Sequence, residues 1–317
     1  MKPYLFSIIA AAAAIGMAQA QTAYTTPVGY YNFDAKAGGN LFVPGFANSS
    51  VFAGAITAAT NNDPGADTLT VATGVLTANA LNEGAVYATH YVEITQAGSN
   101  QGVVIDIESN TDSVITLASD ISALALTGTE TIMVRPHVTL SSCFASAEAN
   151  IAQFTDAVTF YNPDGSPNTY YLIAAGEWST DFVTNDGGSR PIPPGTGVIL
   201  DVFADAAWTI VGEVKSTDTV VQLAGSGVIN IVGPVNPLVG SDDLIKNLGF
   251  ADMLAFTDSV TLYTPGDLSV PAGTYYADGL GDVTTDFVNP SLDTFSFTKG
   301  GIFTAFADTA FRVKSGL

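Results

Sequence analysis

The sequence predicts an all-β protein: tandem β-sandwich or barrel domains with an internal repeat and a small inserted β-barrel. Three observations carry this expectation. The stretch Phe154-Thr155-Asp156-Ala157-Val158-Thr159-Phe160-Tyr161 returns about 100 residues later as Phe256-Thr257-Asp258-Ser259-Val260-Thr261-Leu262-Tyr263, with apolar and polar positions alternating in both copies. Residues 67–136 are a series of short β-rich runs split by turn residues. Helical patterning is scarce, its clearest stretch being 242–248, with Ser241 at the N-cap position and Gly249 just past the end.

In chain order, residues 1–20 read as a signal peptide. Lys2 gives the positive start, residues 5–17 an apolar run, and Ala18-Gln19-Ala20 a small-x-small cleavage site before Gln21. The mature chain is therefore expected to be secreted, extracellular or at the cell surface. No later stretch reaches the roughly 18 uninterrupted apolar residues of a transmembrane segment, and Phe311-Arg312-Val313-Lys314 reads as a strand with no anchor behind it.

Residues 21–66 form an N-terminal extended segment and first β element. Pro27 disfavours helix, while Tyr30, Tyr31 and Phe33 favour strand. Gly38-Gly39-Asn40-Leu41-Phe42-Val43-Pro44 then sets a pattern met again in Asn230-Ile231-Val232-Gly233-Pro234: Asn, two apolar residues, one variable residue, Pro. Residues 67–137 read as a small β-barrel inserted into the first repeat unit, with strands expected at 68–71, 88–95, 102–107, 113–117 and 130–134. The repeat domains follow at 138–219 and 220–317. Both carry the leading strand, a glycine turn, Thr-Tyr-Tyr (169–171, 274–276), Thr-Asp-Phe-Val (180–183, 285–288) and Phe-Ala-Asp (203–205, 306–308), and an aromatic, Trp208 or Phe311, opens the last strand.

The chain has 9 Lys plus Arg against 30 Asp plus Glu, a net charge of −21, yet only 12% of residues are charged and 47% are apolar. This is an acidic, foldable composition. It argues against nucleic acid and anionic lipid as partners, since both need a basic face. The single cysteine, Cys143, excludes an intramolecular disulfide, and because its counterpart in the second copy falls at Leu244 or Ile245, it reads as a small buried hydrophobe.

The run from Val134-Arg135-Pro136 to Phe154, residues 191–200, Gly212-Glu213-Val214 and the Asn-to-Pro strand together resemble an uncharacterised family of secreted, repeat-containing, β-rich bacterial proteins. That resemblance covers most of the mature chain and implies export, a β-rich fold and no known reaction. Within 88–136, Tyr91-Val92-Glu93-Ile94-Thr95 and Asn100-Gln101-Gly102 are similar to small β-barrels of phage neck and tail proteins, which implies a role in assembly.

The residues suggest no catalytic constellation and no cofactor. His90 and His137 are the two histidines, neither at ligand spacing from a second His or Cys, and Gly225-Ser226-Gly227 is not a nucleophile elbow. Glu177 beside Trp178 suggests a glycosidase acid, but Glu177 aligns with Asp282, Asp156 with Asp258 and Asp181 with Asp286; aspartates that recur in both repeats are expected to bond turn backbones. Calcium is the one metal considered, at Asp278-Gly279-Leu280-Gly281-Asp282 and Asn185-Asp186-Gly187, although neither fits an EF-hand loop. Asn48-Ser49-Ser50 is a glycosylation sequon.

Two functions follow as expectations. The first is a non-enzymatic structural protein that self-assembles into a homopolymer, as an extracellular fibre, sheath or surface layer, with residues 21–33 adding as a strand to a neighbouring subunit through Tyr30, Tyr31 and Phe33. The alternative is a carbohydrate-binding or adhesive module contacting glycan through Tyr170, Tyr171, Trp178, Tyr275 and Tyr276, with one tyrosine of each pair buried by strand alternation and the other at a sheet face.

Overall fold

A computed structural model of the chain describes residues 27–62, 65–82, 85–148, 150–215, 217–224, 228–233, 255, 257–277, 283–285, 303–306 and 311–313. The expected signal peptide, the helix at 242–248, the counterparts of Cys143, the Gly225-Ser226-Gly227 segment and the acidic turn at 278–282 lie outside them. The described residues are nearly all β, with one short helix, α1 (Leu140–Phe144), and one 3-10 turn.

The repeat seen in the sequence is a repeat of topology. The first unit is a five-stranded antiparallel sheet in the order β13 (Glu177–Ser179), β12 (Pro167–Ala174), β11 (Ala157–Tyr161), β15 (Val198–Val202), β2 (Gly38–Phe42). The second has the order β21 (Val283–Thr284), β20 (Asp267–Ala277), β19 (Ser259–Thr264), β22 (Phe303–Phe306), β18 (Asn230–Val232). Registers coincide as well as order. Val158 lies between Tyr170 and Leu200, and Val260 between Tyr275 and Ala305. Asn40 faces Leu200 as Asn230 faces Ala305. The cross-strand threonines meet in both sheets, Thr159 with Thr169 at 2.8 Å and Thr261 with Thr274 at 3.2 Å.

The recurring Asn has a physical reason. The Asn40 side chain accepts from Lys36 N at 2.9 Å and donates to Lys36 O and Gly38 O; Asn230 accepts from Ala224 N at 2.7 Å and donates to Ala224 O and Val228 O. Each amide satisfies the main chain of the turn that leads into its strand, which an apolar residue would leave unpaired.

Each unit is closed by a two-stranded ribbon of its first and last strands. In the first, β1 (Val28–Ala35) runs antiparallel to β16 (Ala206–Glu213); in the second, β17 (Thr219–Val221) runs antiparallel to β23 (Phe311–Val313). The N-terminal strands thus belong to the first unit, which is completed far along the chain by Val198–Val202 and Ala206–Glu213. The first ribbon packs over its sheet: Phe33 meets Phe42 edge-on at 4.9 Å and Trp208 at 5.0 Å, and Phe144 of α1 joins the same cluster. A further short pair, β10 (Val138–Thr139) with β14 (Pro191–Ile192), holds the start of α1. Thr139 caps that helix through a reciprocal pair of bonds with Ser142.

The inserted body is a curled seven-stranded sheet, in the order β3 (Phe52–Ala55), β9 (Thr131–Pro136), β6 (His90–Ile94), β7 (Val104–Asn110), β8 (Val114–Leu117), β5 (Thr68–Thr70), β4 (Ala58–Thr60). All five strands expected between 67 and 137 are present. The expected boundary at 67 is too late, however, because residues 52–60 supply both ends of the strand order. Ile56 N donates to Glu130 O and Thr57 N to Thr70 O, so a single bent chain run joins the two ends. Its core is aliphatic, built from Val92, Ile94, Ile107, Ile115, Ile132, Val134 and neighbours, and is distinct from the aromatic core of the first unit. A separate core is what allows the body to be inserted between β2 and β10 without rebuilding the host sheet.

The two units touch reciprocally. Gly266, at the tip of the β19–β20 hairpin, donates to Gly39 O at 3.0 Å, and in the opposite sense Gly197 N donates to Ile231 O at 2.9 Å. A Cβ on Gly38, whose φ is +98°, would run into Gly266 O, so this close approach requires glycine.

Candidate functional site

The ribbon strand β1 is where the sequence expectation and the geometry converge. Its side chains alternate: Val28, Tyr30, Asn32 and Asp34 face out, while Tyr31 and Phe33 face the core. Tyr31 packs on Phe46 at 5.6 Å and donates its hydroxyl to Val43 O at 3.2 Å; burial raises its hydroxyl pKa. The Gly29–Gly212 pair leaves room for the Phe46 ring, which a Cβ on Gly29 would meet at 2.7 Å.

Hydrogen-bond phase fixes which main-chain groups of β1 are spent. Glu213 exchanges both main-chain bonds with Ala47, so it points away from β1, while Val214 N donates to Pro27 O. In an antiparallel ladder such pairs alternate. Residues 27, 29, 31, 33 and 35 therefore bond to β16, and the N–H and C=O groups of Val28, Tyr30, Asn32 and Asp34 point to the opposite edge. Among the described residues nothing pairs with that edge. The other edge of the ribbon is capped: Ser146 Oγ donates to Thr209 O at 2.8 Å and Asn150 Nδ2 to Ala207 O at 2.9 Å.

Comparable edges are covered or blunted. The main chain and side chains of residues 185–187 bond to Trp178 of β13, Gly266 covers β2, and residues 195–197 cover β18. The exposed stretch of β20 contains Pro271 and two register shifts. β1 has no proline, no lysine and no register shift. Toward its N-terminal end the exposed residues beside it are apolar or aromatic, with Val28 68%, Tyr30 72% and Val211 64% exposed, while Asp34 places one charge at its C-terminal end.

The glycan candidates are distributed differently from the expectation. Trp178 is 0% exposed and packs on Phe144 at 5.5 Å, so no face of its ring is open to a sugar; it is a core residue. The tyrosine pairs alternate as expected, with Tyr170 and Tyr275 buried and Tyr171 and Tyr276 half-buried. The Tyr170 hydroxyl meets Tyr87, Asn168 and Arg190, and burial ahead of the Tyr87 bond pushes its pKa up to about 12. Tyr171 instead stacks on Phe182 at 4.3 Å. Phe182 is 44% exposed at φ +65°, a conformation a bulky residue rarely adopts. Asp181 holds that turn by accepting from Thr184 N at 2.7 Å and Val183 N at 2.8 Å, bonds that keep its carboxyl well below the usual range. Nothing in the sequence marks Phe182, because a positive φ at a phenylalanine leaves no local sequence signal.

The remaining candidates have structural partners. Asp156 accepts from Ala152 N and Phe203 N, both at 2.8 Å, Asp186 accepts from Thr180, and Glu177 is exposed at the end of β13. His137 meets Asp106 at 2.8 Å and stacks on Tyr91, while His90 bonds Leu81 O and burial lowers its pKa. Cys143 is buried in the aromatic core, and burial raises its thiol pKa. The amide of the sequon residue Asn48 donates to His137 O at 2.9 Å, so a glycan there would displace a bond between the barrel and the first unit. Among the described residues no group of three or more His, Cys, Asp or Glu side chains could hold a metal.

Two features carry no local sequence signal. The first is a buried charge lock where the barrel meets the end of the first unit. Arg135 of β9 lies 2.5 Å from Glu213 and 3.3 Å from Glu93 of β6, and Lys215 lies 2.9 Å from Glu93, all four being almost fully buried. Burial lowers the Lys215 pKa against the opposing effect of Glu93. The second is Arg190, stacked over Phe160 at 4.6 Å in a groove of about 420 Å³ whose lining, including Tyr87, Pro163, Pro193 and Ile231, holds no carboxylate. Comparison with protein-family models, curated proteins and solved structures returned no match.

Proposed function

We propose that the chain is an exported, non-enzymatic structural subunit that self-assembles outside the cell into a fibre, sheath or surface layer. The observation that carries this reading is the outer edge of β1, because an eight-residue strand whose outward main-chain donors and acceptors meet no partner among the described residues is a template for another strand. The chain is strongly acidic overall, with a net charge of −21, which keeps unassembled copies apart except where a specific contact outweighs the repulsion.

The geometry changes how assembly would work. Residues 21–33 were expected to leave the subunit and add to a neighbour, but 28–33 already pair with β16 of the same chain, with Tyr31 and Phe33 in the core. Deleting them would expose Phe42 and Trp208 and damage the fold itself. The strand acts from its place in the ribbon, through its free edge. The test is negative-stain electron microscopy of the chain from Gln21 onward over a range of concentrations, with and without calcium. Ordered filaments or sheets are expected; monomer-sized particles throughout would end this reading.

A second reading, carbohydrate binding, is favoured by the exposed Tyr171–Phe182 stack, an aromatic platform held in a costly backbone conformation. Under it, Phe182→Ala lowers retention on a polysaccharide column by about tenfold, in keeping with one stacking contact, with little change in thermal stability. Unchanged retention would remove it.

A further inference from the structure

We infer that a second copy of this chain pairs its own β1 against β1 across a two-fold axis, forming a continuous four-stranded sheet in the order β16, β1, β1 of the partner, β16 of the partner. This rests on the self-assembly reading and names its first step: an isologous contact closes on itself, so the β1 pair is the building unit, and a second, different contact extends it into a fibre or layer. Each copy offers the same free edge and, among the described residues, no second edge as long and as unblunted. Two copies that use one surface in common meet isologously.

The protein's own duplication supplies independent support. Val221 pairs with Phe311 in the second ribbon as Phe33 pairs with Trp208 in the first, so Val220 is the counterpart of Asn32. Val220 N donates to Gly102 O of the inserted barrel at 3.0 Å. The edge left open on β1 is therefore the edge that, in the second unit, is already engaged by main chain within the same molecule. The barrel loop at Gly102 serves β17 and is not available to β1.

Phase and charge select the register. Outward groups belong to Val28, Tyr30, Asn32 and Asp34, so a hydrogen-bonded antiparallel contact must pair even-numbered residues with even-numbered residues. One register uses all four: Val28 with the partner's Asp34, and Tyr30 with the partner's Asn32, each repeated by symmetry. It places the two Asp34 carboxylates at opposite ends of the contact and gathers Tyr30 and Val211 of each copy near the axis, on the outer face of the ribbon. The shift that would set Asp34 against its own copy joins like charges in a chain of net charge −21 and is disfavoured.

The experiment is a pair of spin-label distance measurements on the full chain from Gln21 onward, with Val28→Cys and Asp34→Cys labelled separately and oligomer size followed by light scattering. Cys143 is buried and serves, unlabelled, as the background control. In the proposed register each labelled position lies six residues along the strand from its symmetry mate, so both variants should give the same backbone separation of about 20 Å. A register shifted by two residues would give unequal distances, near 14 Å and 27 Å, and would overturn the pairing assigned here. Oligomers with no short distance at either position would overturn the β1 contact while leaving self-assembly standing. Monomers at every concentration would overturn self-assembly and this contact together.

Discussion

Replacing Arg135 with Met is expected to lower unfolding stability by about 3–5 kcal/mol, the scale for removing one partner of a buried ion network. Arg135 faces two carboxylates that are almost wholly shielded from water, Glu93 and Glu213. Glu93 would keep Lys215 and the Thr217 hydroxyl, but among the described residues Glu213 would keep no cation, and its Oε2 has no hydrogen-bond partner there either. Main chain is lost too, because Arg135 Nη1 donates to Asn48 O at 2.8 Å, bracing the segment that leads from the first unit into the barrel. Urea unfolding of the variant should show the barrel separating from the repeat units as an earlier transition. Arg135→Met combined with Glu213→Leu should recover a large part of the loss, since it removes the stranded charge along with its partner. A single-variant cost below about 1 kcal/mol would mean that water reaches these groups and that the junction is held by packing alone.

This lock also marks the limit of what the sequence discloses. Elements whose cause is local were legible: the alternation at 157–161 and 259–264, the five barrel strands, the aspartates that cap turns and the burial of Cys143 each follow from nearby residues. The lock is not local. Glu93, Arg135, Glu213 and Lys215 come from three separate chain stretches, and only the fold converts them from scattered charges into one balanced cluster. Residues 52–60 were missed as barrel strands for a related reason, since Ala53, Gly54, Ala55, Ala58 and Ala59 are too small to write a strand pattern, and their pairing is imposed by β9 and β5. Trp178 was misread because an aromatic beside a carboxylate looks like a sugar site, whereas alternation in β13 sends Glu177 outward and Trp178 into the core. For β1 the sequence identified the right residues and the wrong neighbour. Tyr30, Tyr31 and Phe33 do form a strand, but their partner, β16, lies so far along the chain that no window of sequence could contain both.

Asn32→Pro is expected to weaken assembly severely while leaving the subunit folded. Proline removes an N–H and places its ring on the same side of the strand, and at position 32 that side faces the free edge and not β16. No hydrogen bond of the ribbon ladder is lost; the Asn32 side chain gives up only its contact with Thr209 Oγ1. Across the proposed contact the variant removes the Asn32 N–H from each copy and puts two proline rings where the strands must approach. At about 1 kcal/mol for each lost bond, with ring clashes added, the concentration at which assembly begins should rise by about 100-fold or more. Phe33→Pro is the opposing control, because that N–H belongs to the ladder with Trp208 and the ring is in the core, so it should unfold the ribbon. Tyr30→Lys keeps every main-chain group and adds the charge that natural edge strands use to stay apart; it should weaken assembly in low salt and recover in part as salt screens the repulsion between the two lysines near the axis. Assembly that persists undiminished in both Asn32→Pro and Tyr30→Lys would show that the subunits meet elsewhere, and the open edge of β1 would then be an edge the protein leaves solvated.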